Sequence, residues 1–230
     1  MKQISVVTGG SSGLGRAIAS ELIGKGINVC IVSRDAKKIK EAIAAFPKGQ
    51  AEAIFYAGDV SDERFVIELF KNLNKDGYYV NYLYNVAGVG VFGKAKDMNL
   101  TKIQKAFQTN AIGLLLTTYE SCRNMTDGGT IINIGSTASL KGNVEETLYC
   151  ATKWAVRGFT EALKAEYKGK NIHFIGVYPG GMKTPFWTDD CGSNPDTSKW
   201  MEPSEVAEVV VNAVLEKKTL YVNDIVIERK

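Results

Sequence analysis

Ile4-Ser5-Val6-Val7-Thr8-Gly9-Gly10-Ser11-Ser12-Gly13-Leu14-Gly15-Arg16 is the stretch whose reading decides the fold. Five residues make a short apolar strand, the glycines make a turn, and a helical pattern follows with Ala17, Ile18, Leu22 and Ile23 on one side. Gly24 and Gly26 end that helix. Strand, glycine turn and helix are the context a dinucleotide site requires. Glycines let the backbone approach a pyrophosphate, and the helix N-terminus offers free N–H groups and a positive dipole end. A tight turn with no ligand is the bland alternative, so the rest of the chain has to decide.

Outward from that stretch, strands and helices alternate. A second strand is expected at 28–32, ending in Ser33-Arg34, and then a helix at 35–46 with Asp35 as its cap. A third strand at 52–57 ends in Gly58-Asp59-Val60, and Ser61 is expected to cap a helix running to residue 75. The fourth strand, 80–84, runs into Asn85-Val86-Ala87-Gly88, and the fifth, 130–134, stops at Gly135-Ser136. Long helices are expected at 101–125 and 148–167, a sixth strand at 172–178 and a last helix at 203–217. A final strand or hairpin follows from 220–222 and 225–227, turning at Asn223-Asp224. This alternation predicts an α/β fold: one domain over 1–230, with a parallel, doubly wound Rossmann-type sheet of about seven strands and helices on both faces. Right-handed crossovers gather the strand ends along one edge, where ligands bind in such folds.

The bulk numbers agree. The 230 residues are 45% hydrophobic and 23% charged, ordinary for a globular chain that buries a full core. The net charge is +3, and the densest basic run, Lys37-Lys38-Ile39-Lys40, is too short to imply nucleic acid. No apolar run is long enough to span a bilayer. Met1-Lys2-Gln3 leads straight into a strand without a signal-peptide pattern. Cys30, Cys122, Cys150 and Cys191 are widely spaced, which reads as reduced thiols in a cytoplasmic protein. With His173 the only histidine, a His-rich metal site is excluded, and no metal is expected. His173 lies in an apolar strand pattern, where a structural role is expected.

The chemistry is carried by two places. Tyr149 and Lys153 stand four apart, on one face of a helix. Free tyrosine titrates near pH 10, and a nearby positive charge favours the phenolate. Ser136, at the end of the neighbouring strand, offers a hydroxyl to the same substrate oxygen. At the second strand end a carboxylate for an adenosine ribose is missing at Ser33, and Arg34 follows. A guanidinium suits a 2′-phosphate, which it bonds bidentately, so NADP(H) is favoured over NAD(H).

Taken together, these residues resemble the classical short-chain dehydrogenase/reductase family over essentially the whole chain. Thr8-Gly9, Gly13 and Gly15 resemble its glycine motif, and Asp59-Val60 the pair that contacts adenine. Asn85-Val86-Ala87-Gly88 resembles its Asn-Asn-Ala-Gly motif with valine at the second position, and Asn110 its helix asparagine. Ser136 precedes Tyr149 by the family spacing, and Pro179-Gly180 with Thr184 resembles the stretch that holds the carboxamide. The resemblance implies a catalytic set of Asn110, Ser136, Tyr149 and Lys153. Tyr149 would exchange the proton with the carbonyl or alcohol, Lys153 would lower its pKa and bond the ribose, and Ser136 would orient the substrate. Asn110 would kink its helix and hold a relay water. The implied cofactor set is Gly9, Ser11, Ser12, Gly13, Leu14, Gly15, Ser33, Arg34, Asp59, Val60, Asn85, Ala87, Gly88, Pro179, Gly180, Met182 and Thr184, with Tyr149 and Lys153. Ser12 stands where NADP-preferring members often carry a basic residue, so the NADP reading rests on Arg34.

The implied activity is hydride transfer between nicotinamide and a ketone, aldehyde or secondary alcohol, a small-molecule partner. An NAD-linked alcohol or hydroxysteroid dehydrogenase is the alternative within the class, and a non-catalytic nucleotide-sensing regulator the one outside it. Residues 185–202 are polar and punctuated by Phe186, Trp187, Trp200 and Met201, which suggests a lid with an apolar wall. The family also implies a homodimer or homotetramer built on the two long helices.

Overall fold

The computed structural model describes residues 1–125, 128–215, 220 and 222–230, with Asp189 in backbone only. Seven parallel strands form one open sheet: β1 (Lys2–Thr8), β2 (Val29–Ser33), β3 (Ala53–Ala57), β4 (Tyr78–Asn85), β5 (Gly129–Ile134), β6 (Ile172–Pro179) and β7 (Asp224–Ile227). The spatial order is β3-β2-β1-β4-β5-β6-β7. The order turns back at β1, which pairs with β2 on one side and β4 on the other. A crevice opens at such a switch point, outside the carboxyl ends of the strands.

The strands are apolar on both faces because both faces are covered. In β1, Val7 packs beneath α1 (Gly13–Gly24), α2 (Ala36–Ala44) and α7 (Pro203–Leu215), through Ile18, Leu22, Ile39, Val206 and Val210. Ile4 and Val6 point the other way, toward α3 (Glu63–Lys75), α5 (Gly113–Asn124) and α6 (Thr147–Glu166), where Val66, Leu69, Phe70 and Leu163 meet them. The same alternation splits β2, with Val29 and Ile31 on the first face and Cys30 and Val32 on the second.

Two local expectations are corrected and a third is decided. Asp62, not Ser61, caps α3, accepting from the N–H groups of Arg64 and Phe65; Ser61 instead turns onto the Asp59 carboxylate. The long helix is α4 (Leu100–Phe107) and α5 joined by a π turn over Gln108–Ile112. Of the final strand or hairpin expected, the strand is found: β7 runs parallel to β6, and Asn223-Asp224 does not turn a hairpin. Tyr221 and the expected end of the last helix lie outside the described residues. Asp35 does cap α2, accepting from Lys37 and Lys38.

Candidate active site

A cleft of about 980 Å³ lies over the carboxyl ends of β1 and β4. One end is built from backbone. Gly9 has φ +68°, and a Cβ there would fall 2.9 Å from the Ala87 Cα, so the loop after β1 and the loop after β4 touch main chain to main chain. The Thr8 hydroxyl fixes that contact, accepting from the N–H groups of Val86 (3.0 Å) and Ala87 (3.2 Å). A Cβ at Gly15 would run into the Gly9 carbonyl oxygen, so α1 starts directly on the loop. Ser12, the N-cap of α1, makes no side-chain cap bond, which leaves first-turn N–H groups for whatever enters. A bare backbone cradle ending on an uncapped helix fits the pyrophosphate of a dinucleotide.

Around that cradle stand Ser11, Ser12, Gly13 and Leu14, then Ser33 and Arg34, then Asp59 and Val60, with Ala87 and Gly88 between. The Ser11 and Ser33 hydroxyls share a hydrogen bond of 2.8 Å, and Arg34 is exposed on the rim. Pro179, Gly180, Met182 and Thr184 close the other side, Gly180 being held by its N–H to the Ile227 carbonyl at 2.9 Å. Asn85 does not line the cleft. Its amide donates to Thr118 and Asn133, both at 2.9 Å, and accepts from Thr117 at 2.7 Å. Its two-sided hydrogen-bonding capacity is used up inside the core, where an unpaired amide would be costly.

At the other end Tyr149, Lys153 and Ser136 converge. Tyr149 and Lys153 lie one turn apart on α6, with the Lys153 nitrogen 5.8 Å from the Tyr149 ring centre. Lys153 is 6% exposed and donates to the Ile134 carbonyl at 3.0 Å. Burial lowers its pKa from 10.5 to about 8. The Tyr149 phenol is pushed the other way, well above its ordinary value, chiefly by loss of water around it, with the Ser136 hydroxyl opposing and the Glu146 charge adding. The expectation that Lys153 pulls the phenol down is therefore not met in this structure. The same desolvation that raises the phenol also weakens the ammonium meant to oppose it. Ser136 caps a short 3₁₀ turn, Thr137–Ser139, its Oγ accepting from the Ala138 N–H at 3.1 Å.

Asn110 sits in the π turn, buried beneath the cleft rather than lining it. Its Oδ1 accepts from Val89 N at 2.7 Å and its Nδ2 donates to Val89 O at 2.9 Å, with Thr152 Oγ1 at 3.1 Å. The extra residue of the π turn turns this amide toward the loop after β4, and the loop is pinned at both its N–H and its carbonyl.

The substrate end is walled by rings. Phe92 stacks on Trp187 at 5.1 Å and 12°, and lies 5.1 Å from Tyr149; Phe186 meets Tyr149 at 5.9 Å. Trp200 lies edge-on to Trp187 at 4.9 Å and covers Gly181, where a Cβ would come within 2.8 Å of the indole. Met201 does not join this wall. It pairs with Met182 in an isolated bridge and packs onto the core. Phe92 takes its place, a residue that sequence reasoning missed although its setting, Gly90-Val91-Phe92-Gly93 after a strand, offered the signal. Its N–H donates to the Cys191 carbonyl at 2.7 Å, which joins the loop after β4 to the segment over the cleft. Glu146, three residues before Tyr149 and lining the same space, was also missed; helical spacing alone would have found it.

Among the described residues no group of three or more His, Cys, Asp and Glu could hold a metal ion, and no helix is long and apolar enough to cross a membrane. The chain matches the short chain dehydrogenase family over residues 3–191. It is 34% identical over 221 residues to mouse 3-oxoacyl-(acyl-carrier-protein) reductase, covering 92% of this chain and 90% of that one. Carbonyl reductase family member 4 of zebrafish is 31% identical over 221 residues, with the same coverage of 92% and 90%. A crystal structure of a short-chain dehydrogenase/reductase from Vibrio parahaemolyticus superposes with a TM-score of 0.86 at 30% identity, covering 98% of this chain and 96% of the other. Sequence, fold and relatives agree over nearly the full length, and this chain belongs to the short-chain dehydrogenases/reductases, oxidoreductases that work with a nicotinamide cofactor.

Proposed function

We propose that the protein is an NADP(H)-dependent carbonyl reductase, reversible in principle to alcohol oxidation. The observation that carries this reading is the meeting, in one cleft, of the backbone cradle at Gly9–Gly15 with Tyr149, Lys153 and Ser136. A bound nicotinamide cofactor would supply the hydride; the chain holds, orients and handles the proton. Gly9, Gly13, Leu14 and Gly15 would hold the pyrophosphate, Asp59 and Val60 the adenine, and Pro179, Gly180, Met182 and Thr184 the carboxamide end.

Tyr149 serves as general acid to the carbonyl oxygen. The phenol holds its proton near neutral pH; burial, by raising its pKa, makes it a weaker acid, which the charge growing on the substrate oxygen has to offset. Ser136 orients the same oxygen, and the Lys153 ammonium favours the negative charge that grows there. Asn110 is a positioning residue: it fixes the Val89 backbone that borders the nicotinamide end. Residues 185–202 act as the substrate lid. The exposed apolar side chains Leu100 and Ile103 on α4, Ile112 in the π turn and Tyr119 on α5, with Trp154 on α6, are proposed to pair with a second copy of the chain.

The NADP preference rests on Arg34 at the cleft rim, beside a β2 end that carries Ser33 instead of a carboxylate. The test is kcat/KM with NADPH and NADH on one carbonyl substrate. Wild type is expected to prefer NADPH, and Arg34→Asp to erase a factor of about ten or more of that preference. Unchanged selectivity would remove Arg34 from the argument.

A further inference from the structure

We infer that Glu146 sets the charge of the substrate this site accepts, making it selective for aryl-flanked, uncharged carbonyl compounds over those carrying a carboxylate beside the carbonyl. The inference rests on the carbonyl-reductase reading. Glu146 is the N-cap residue of α6, and Tyr149 comes one turn later on the same face. Both line the cleft. Glu145, just before it, has φ +60°, a left-handed conformation rare for a side-chain-bearing residue, and its carbonyl accepts from Gly93 N–H at 2.7 Å. The chain is thus turned and anchored where Glu146 enters the site. The Asn143 amide donates to one carboxylate oxygen, Oε2, at 2.9 Å. No lysine or arginine pairs with Glu146 among the described residues.

This half-buried carboxylate has a fixed neighbour and no paired cation, and it borders the cleft. Arg34, Lys105, Lys141 and Arg229 also border the cleft, but all four are exposed, and water screens their charge more than that of Glu146. The buried Lys153 ammonium acts on the reacting oxygen and is common to wild type and every Glu146 variant, so a change at Glu146 is read against it. The Glu146 charge is felt at the Tyr149 phenol, the place where the substrate carbonyl must dock. The remaining walls, Phe92, Phe186 and Trp187, give rings for an aromatic substituent to lie against. Two like charges within one small cleft repel by an amount that water only partly removes.

The experiment uses the full chain and two substrates, methyl benzoylformate and benzoylformate, with NADPH and with NADH; they differ in charge and also in one methyl group and in ketone reactivity, so the change in their ratio between wild type and variant is what is read. Wild type is expected to reduce the ester with a kcat/KM at least about tenfold above that of the acid, from like-charge repulsion added to the ester's more reactive ketone. Glu146→Gln should bring the two within about threefold of each other, mainly by lowering KM for the acid, whereas Glu146→Asp should keep the discrimination. A general structural disturbance would lower both substrates together and leave their ratio alone. An ester-to-acid ratio that Glu146→Gln does not change overturns the inference, as does a wild type that prefers the acid. Reduction of neither aryl substrate also overturns it, and 2,3-butanedione then separates the two levels. Its reduction leaves the carbonyl-reductase reading standing without this substrate class, and its failure removes both.

Discussion

The two ends of the cleft are made of different material. The cofactor end is main chain: Gly9 against Ala87, Gly15 against the Gly9 carbonyl, Gly13 at φ +50° beside Thr184. The substrate end is side chain: Phe92, Tyr149, Phe186 and Trp187 in mutual ring contact, contributed by the loop after β4, by α6 and by the segment after β6. Main-chain contact demands particular residues at particular places, because only glycine leaves the room. Ring contact demands only that some large apolar side chains arrive, and many arrangements satisfy it. The first end is therefore rigid in sequence and general in ligand, and the second is free to vary with the substrate.

Four substitutions test that contrast, in falling order of expected effect. Tyr149→Phe keeps the ring in its stack and removes the proton donor. Turnover should fall by about a thousandfold, the usual worth of a positioned general acid, while cofactor affinity measured by fluorescence titration stays within a few-fold. Retained turnover would mean that another group supplies the proton.

Gly15→Ala puts a methyl against backbone that cannot rotate away. It should cost about 2–3 kcal/mol in urea unfolding and weaken cofactor binding as well. An unaltered midpoint would show that the cradle is looser than its contacts imply.

Lys153→Met should do the opposite to stability. Folding depresses the Lys153 pKa from 10.5 to about 8, so between those values the unfolded chain holds more protons and stability rises with pH. Below about pH 8 the buried charge costs its full amount. Replacing it should stabilise the cofactor-free protein by roughly 2 kcal/mol at pH 7, and by less as pH climbs toward 10.5. A variant less stable than wild type at pH 7 would show that the bond to the Ile134 carbonyl outweighs desolvation.

Phe92→Leu should have the smallest effect: a rise of about threefold to tenfold in KM for an aromatic carbonyl substrate, from lost ring contact, with little change in cofactor affinity. An equal loss at both ends would erase the division proposed between them.

The contrast also explains what could be read from the sequence. The glycine turn after β1, the alternation of strands and helices, the Asp35 cap and the Tyr149–Lys153 spacing are local, and each was legible. Sequence alone does not choose the cap of α3, because Ser61 and Asp62 are both good caps; the nearby Asp59 carboxylate takes Ser61, which leaves Asp62 for the helix. The motif position of Asn85 points to the cofactor. Only the partners around it, Thr117 and Thr118 from α5 and Asn133 from β5, show that its side chain is spent in the core.

By itself the sequence determined the parallel doubly wound sheet, the backbone cradle and the tyrosine–lysine pair, since each follows from periodicity or from spacing within one element. Tertiary structure alone decided that Phe92 rather than Met201 walls the substrate end, that desolvation raises the Tyr149 phenol, and that Glu146 lines the same space as the phenol. Ring contacts and loss of water depend on which distant segments meet, and that is fixed only when the sheet brings its strand ends together.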